Sequence, residues 1–212
     1  MSAEAVERLP ADQPHERSLL EEANLLAERN PGYRVEIIGG VLVVTPPPDG
    51  PHANALTDLM IPFLAAGLHG GETKVLQAIG LWLPEGPDDY AIPDLAVVDA
   101  DLNEHLIENN CYDPLAFRLV VEVTSNNYQS DIRDKVAAYA SAQLPVYVII
   151  NRKHQRVHVL TDPDSGEYAT HRVHAPGEIV TLPESIGAKV SIDVAEILAA
   201  GEPRPHNSAE SG

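Results

Sequence analysis

A single cysteine, Cys111, stands among 212 residues, so no intramolecular disulfide forms and a cysteine-built metal cluster is excluded. No stretch approaches the ~20 consecutive apolar residues of a membrane-spanning helix. Met1 to Arg17 is polar and has no apolar core of the kind a secretory signal needs. A cytoplasmic protein that does not enter a membrane is therefore expected. Also missing are a GxSxG elbow, a P-loop, a GxGxxG turn and any HxH or HExxH spacing. Of nine histidines, His154/His158 and His171/His174 fall in strand-like stretches, where such spacings do not converge on a metal as they would on a helix. Cys111, beside Asn110 and Tyr112 in an acidic stretch, lacks the positive surroundings that activate a thiol. Trp82 and the tyrosines are not interleaved with basic residues, which points to core packing and away from base stacking.

Positive charge is scarce as well. Fourteen Lys and Arg against 32 Asp and Glu give a formal charge of −18, whereas generic nucleic-acid binding depends on neutralising phosphates. The distribution is uneven. Seven of the fourteen cations, Arg118 to Arg172, fall in about a quarter of the chain, while Val75 to Phe117 has nine carboxylates and no Lys or Arg. A local basic face is allowed by this pattern, but long-range steering toward DNA is weak.

The composition that is present, 44% hydrophobic and 22% charged, suits one soluble domain with its own core. Residues 1–17 and 201–212 read as disordered tails around a domain spanning 18–200. A helix is expected over 18–29, stopped by Asn30-Pro31-Gly32. A β-hairpin follows over 34–45, turning at Gly39-Gly40. A helix over 52–69 carries Pro62 as a kink. Strands are expected at 74–83, 94–98 and 117–123, with an acidic loop over 99–116. A helix over 130–143, capped by Ser130, leads into a buried strand at 146–150. Segments 156–160, 168–173 and 178–182 complete antiparallel pairings. This order implies an α/β (α+β) fold: a mixed central sheet flanked by helices, with an N-terminal β-hairpin.

Three carboxylates interrupt apolar strand neighbourhoods: Glu36 in RVEII, Asp94 opening PDLAVV, and Glu122 inside RLVVEVTS. A carboxylate in a valine-rich strand is costly to bury unless paired or bound to metal. Either strand alternation turns Glu122 to solvent, or Glu122 meets Asp94 on a neighbouring strand and forms a hard oxygen site suited to Mg²⁺. Lys135 flanks the apolar stripe of the 130–143 helix. It either forms a surface pair with Asp131 or returns toward the strand end that carries Glu122.

The ordered series Pro93-Asp94, Glu122-Val123-Thr124-Ser125, Asp131-x-x-x-Lys135-x-x-x-Tyr139 and Pro145-x-Tyr147-x-Ile149-Ile150 resembles the PD-(D/E)XK nuclease superfamily. More closely it resembles the Uma-type "putative restriction endonuclease" family. The opening segment is similar too: a Glu-containing hairpin ending in Gly (Glu36, Gly40), a Pro-rich turn, and a helix beginning near His52. The resemblance spans residues 18–198. It implies a restriction-endonuclease-like fold in which Asp94, Glu122 and the Val123 carbonyl hold Mg²⁺, with Mn²⁺ as a substitute. It also implies Glu36 as an accessory acid and Lys135 as the catalytic lysine. The parent superfamily places that lysine two residues after the strand glutamate. Thr124 stands there in this chain, and the lysine has moved to the following helix. The implied activity is hydrolysis of DNA phosphodiesters, with a homodimer supplying two sites for two cuts. The alternative is a catalytically inactive nuclease fold that binds nucleic acid or a protein partner. Gln77 is a further residue able to face such a cleft.

Overall fold

Ser18 starts the first helix, α1 (Leu19–Arg29), through a capping box with Glu21. Asn30 ends it, and Gly32, at φ +88°, turns the chain. In the computed structural model, which describes residues 17–124 and 128–202 and leaves out the side chains of 128–132, the chain continues as β1 (Arg34–Ile38) and β2 (Val41–Thr45). Gly39 and Gly40, both at positive φ, make the two-residue turn between them. Asp49 then caps α2 (Gly50–Ala65) by accepting the His52 N–H. Pro62 lies inside α2. The helix starts two residues earlier than expected and ends four earlier.

There follow β3 (Thr73–Gln77), β4 (Gly80–Trp82), β5 (Tyr90–Ala91), β6 (Leu95–Asp99), β7 (Leu106–Glu108), β8 (Cys111–Tyr112) and β9 (Phe117–Thr124). Next come α3 (Tyr128–Ser141), β10 (Val146–Asn151), β11 (Arg156–Asp164), β12 (Glu167–His174), β13 (Ile179–Thr181), β14 (Ser191–Asp193) and α4 (Val194–Ala200). The single strand expected over 74–83 is two strands, because Ala78 at φ +50° breaks it. β3 and β4 then join different sheets. The expected loop over 99–116 contains β7, β8 and two 3₁₀ turns. Ser130 lies within α3 and so does not cap it. The segment at 178–182 does not extend the central sheet; its strand, β13, pairs with β14 in a separate ribbon. Gly201, expected to open a tail, is buried, and its carbonyl accepts from Arg152 Nε. The remainder of both expected tails, 1–16 and 203–212, lies outside the described residues.

The central sheet runs β12-β11-β10-β9-β6-β3. Only β9 and β10 pair in parallel, joined by the α3 crossover. β9 is buried on both faces, which explains its nearly continuous apolar sequence. Val121 and Val123 pack with Leu59 and Phe63 of α2 and Ile197 of α4. Val120 packs on the opposite side with Ala138 and Tyr139 of α3 and with Tyr147. A second six-stranded sheet, β2-β1-β5-β4-β8-β7, is built of short strands and brings β1 against α3. The site forms in this angle between β1, α3 and the central sheet.

Candidate active site

Strand register brings the first two carboxylates together. Leu95 pairs with Val121 across β6 and β9, so Asp94, one step before β6, stands across from Glu122. Glu122 shares its face with Val120, two residues away, and therefore looks toward α3. On that helix Lys135 and Tyr139, four residues apart, point down onto it. Lys135 Nζ is 2.7 Å from Glu122 Oε1 and 2.9 Å from Glu36 Oε1. Tyr139 donates its hydroxyl to the same Glu122 oxygen at 2.8 Å. Backbone donors hold the other acids: Ile92 N–H to Glu36 Oε1 at 2.7 Å, and Val123 N–H to Asp94 Oδ2 at 2.8 Å. Glu36, Asp94, Glu122, Val123 and Lys135 thus line one cavity of about 570 Å³.

Two of the open alternatives are overturned. Glu122 does not face solvent; only 5% of its surface is exposed. Lys135 is buried and turned inward, which removes the surface-pair reading; the Asp131 side chain lies outside the described residues. Gln77 is exposed, donates to Met60 Sδ and does not reach the cavity.

Two residues of the cluster were not anticipated as site residues. Arg34 Nη2 lies 2.6 Å from Asp94 Oδ1, and its Nη1 lies 3.9 Å from Glu122 Oε2. His52 Nε2 lies 3.4 Å from Asp94 Oδ2. Their signals are local: Arg34 is two residues before Glu36, hence on the same face of β1, and His52 lies in the first turn of α2, three residues after the Asp49 cap. Tyr139, read as part of an apolar stripe, is also a donor to the cluster.

Burial by itself would drive these groups toward neutrality. At Asp94 that push is outweighed by the His52 hydrogen bond, the Arg34 charge and the Val123 N–H, and the carboxyl is held down at about 2. At Glu122 burial prevails, aided by the negative Asp94 and Glu36 and opposed by Lys135 and Arg34, so its carboxyl is shifted upward. Burial pulls Lys135 down, but Glu122 and Glu36 more than reverse it and keep the ammonium charged. Arg34 is likewise held above its ordinary value by Asp94, Glu122 and Glu36 against its own burial. Burial and the neighbouring Glu122 raise Tyr139, which keeps its proton as a donor.

Among the described residues, no three His, Cys, Asp or Glu side chains converge as ligands of one ion. The fit to a divalent cation rests on donor chemistry instead. Asp94 Oδ1 and Glu122 Oε2, from adjacent strands, aim at a single cation, the Arg34 guanidinium. Two carboxylate oxygens facing one positive charge, with Val123 lining the same cavity, are of the hard donor type that Mg²⁺ or Mn²⁺ takes.

Elsewhere, His158 Nδ1 and His171 Nε2 meet at 2.9 Å across β11 and β12. The cross-strand diagonal does what spacing along one strand could not. Burial, then the charges of His171, His154 and Arg156, push His158 down to about 4. Cys111 is buried and its thiol is pushed up to about 12 by that burial, in keeping with an inert cysteine. A wider cleft of about 1040 Å³ between α2 and α4 is lined, among the described residues, by Asp58, Asp193, Glu196 and Glu202 and by no Lys, Arg or His, a lining that does not favour phosphate. Among the described residues no helix is long and apolar enough to cross a membrane.

Comparison with known proteins bears on the family and the fold. A family model described as "Uma2: Putative restriction endonuclease" matches residues 20–195. The fold is similar to that of a crystal structure described as a putative nuclease belonging to DUF820, from Anabaena variabilis ATCC 29413. The TM-score is 0.62 at 15% identity, over 79% of this chain and 91% of that one. No curated protein matches the chain.

Proposed function

Since the chain belongs to the Uma2 family of putative restriction endonucleases and has a nuclease-like, restriction-endonuclease-type fold, we propose that it is a metal-dependent endonuclease hydrolysing DNA phosphodiester bonds. The observation that carries this reading is the convergence of Glu36, Asp94, Glu122 and Lys135, from four separate elements, in one cavity. Phosphodiester hydrolysis needs such a set, because the phosphate repels a nucleophile and the pentavalent transition state gathers more negative charge. Asp94, Glu122 and the Val123 carbonyl are the residues to hold Mg²⁺ or Mn²⁺. When bound, such an ion supplies Lewis acidity toward a phosphate oxygen and lowers the pKa of water beside it. Lys135, kept charged by its two carboxylates, stabilises the developing negative charge and orients the attacking water. Glu36 fixes Lys135 from the opposite side, and Tyr139 fixes Glu122. Water attacks phosphorus, one P–O ester bond breaks, and the products are a phosphomonoester and a free hydroxyl.

A second reading is favoured by one specific feature. Glu122 and Lys135 neutralise one another, and Arg34 already pairs with Asp94, as in a nuclease fold retained only for binding nucleic acid or a protein. Cleavage of supercoiled plasmid at low salt with Mg²⁺ or Mn²⁺ separates the two. The nuclease reading expects metal-dependent nicking, lost about 100-fold or more in Asp94→Asn and Glu122→Gln proteins whose circular dichroism matches wild type. Nicking no greater in wild type than in Glu122→Gln, with both metals, rejects it in favour of the binding module.

A further inference from the structure

The cation that spans the two carboxylates is part of the chain. Arg34 sits on β1 with one nitrogen on Asp94 and another facing the free oxygen of Glu122, the two oxygens that the metal-dependent reading assigns to the ion. Its side chain is 22% exposed, against 3% for Asp94 and 7% for Glu122, so it stands between them and solvent. The remaining oxygens of the pair are engaged elsewhere. Glu122 Oε1 takes Lys135 and Tyr139, and Asp94 Oδ2 takes the Val123 N–H with His52 close by. A divalent ion entering between Asp94 Oδ1 and Glu122 Oε2 therefore meets the guanidinium first.

We propose that Arg34 is a tethered counter-cation of this site: it pairs with Asp94 and faces Glu122 while no metal is bound, and it must swing away for a divalent ion to enter. This rests on the metal-dependent reading above. The physical reason is that two cations cannot share one pair of anionic oxygens; each disfavours the other through like-charge repulsion, and the ion displaces the Arg34–Asp94 hydrogen bond. The displacement is feasible because a flexible side chain with an exposed flank can move to solvent, whereas the buried Lys135, held from two sides, cannot. A guanidinium released at the mouth of the cavity has the fork geometry to receive a phosphate oxygen pair. The device also keeps the buried Asp94 paired with a full positive charge when metal is scarce.

The test is Mn²⁺ affinity, read by calorimetry and by the electron-spin-resonance signal of free Mn²⁺, in wild type, Arg34→Gln and Glu122→Gln. Removing the competing charge is expected to tighten Mn²⁺ binding by about tenfold or more, the scale of one charge–charge interaction in a partly screened site; Glu122→Gln is expected to lose binding. Should Arg34→Gln not fold, the wild-type protein carries the test alone. The Arg34 side-chain N–H resonance is expected to shift on saturation with Mg²⁺, together with the Val123 amide. Equal or weaker binding by folded Arg34→Gln, or an Arg34 resonance unmoved while the Val123 amide shifts, overturns the counter-cation role and leaves the metal site standing. No Mn²⁺ binding by wild type or Arg34→Gln overturns the metal-dependent reading itself.

Discussion

An ammonium buried between two carboxylates has lost its hydration, and Lys135 recovers that loss through contacts at 2.7 and 2.9 Å to Glu122 and Glu36. Such a pair adds little net stability over an apolar pair of the same shape, but breaking it from one side leaves an uncompensated buried charge. Lys135→Met is expected to destabilise the protein by about 3–5 kcal/mol in urea unfolding, and Tyr139→Phe by about 2 kcal/mol through loss of a hydrogen bond to a charged acceptor. The Lys135→Met/Glu122→Gln double variant should recover part of the loss, since one of the two stranded charges is gone and only Glu36 remains. A Lys135→Met protein within 1 kcal/mol of wild type would contradict the geometry of the cluster. At this scale Glu122 was legible because a carboxylate among valines demands a partner. Arg34 was not: an arginine at a strand end is ordinarily a surface residue, and only its nearness to Asp94, 60 residues away, gives it meaning. Tyr139 reads correctly as apolar filling by periodicity, which cannot see a hydroxyl donated inward.

The elements place these side chains through register. The β6–β9 pairing sets Asp94 against Glu122, and the parallel β9–β10 pairing forces the α3 crossover that carries Lys135 back over the strand end. Hydrophobic runs and turn residues made the hairpin at 34–45 and the β9–α3–β10 order readable, whereas the meeting of Asp94 with Glu122 was one of two alternatives that only the register decides. The second sheet was not readable, because its strands include pairs of only two residues, too short for periodicity to register. Its existence hangs on local backbone events such as the positive φ of Ala78 and close contact at Gly80. A Cβ at position 80 would lie 2.6 Å from Cys111 Sγ and 2.7 Å from the Asn110 carbonyl oxygen, and backbone cannot yield cheaply there. Gly80→Ala should therefore part β4 from β8 and cost about 2 kcal/mol or more in urea unfolding. Gly71→Ala, with open space at its Cβ, should stay within about 0.5 kcal/mol. Equal midpoints for the two would mean that the β4–β8 contact is looser than it stands.

Across the whole molecule the charge of −18 opposes approach to DNA, and the cations of 118–172 do not offset it freely. Arg118 is paired with Asp99, Arg152 with Asp49, and Lys135 lies inside the cavity. Those three serve the fold, while Arg133, Lys153, Arg156 and Arg172 are exposed, a distinction composition alone does not carry. The cation at the partly exposed edge of the cavity is Arg34. Favourable electrostatics are thus local to the site, while the molecule as a whole does not steer polyanions. The most direct measurement is anomalous diffraction from crystals grown with Mn²⁺. A metal in this site predicts an anomalous peak bounded by Asp94 and Glu122, with the Arg34 guanidinium displaced from both. A guanidinium still seated on Asp94 with no peak beside Glu122, at Mn²⁺ concentrations in the millimolar range, would contradict it.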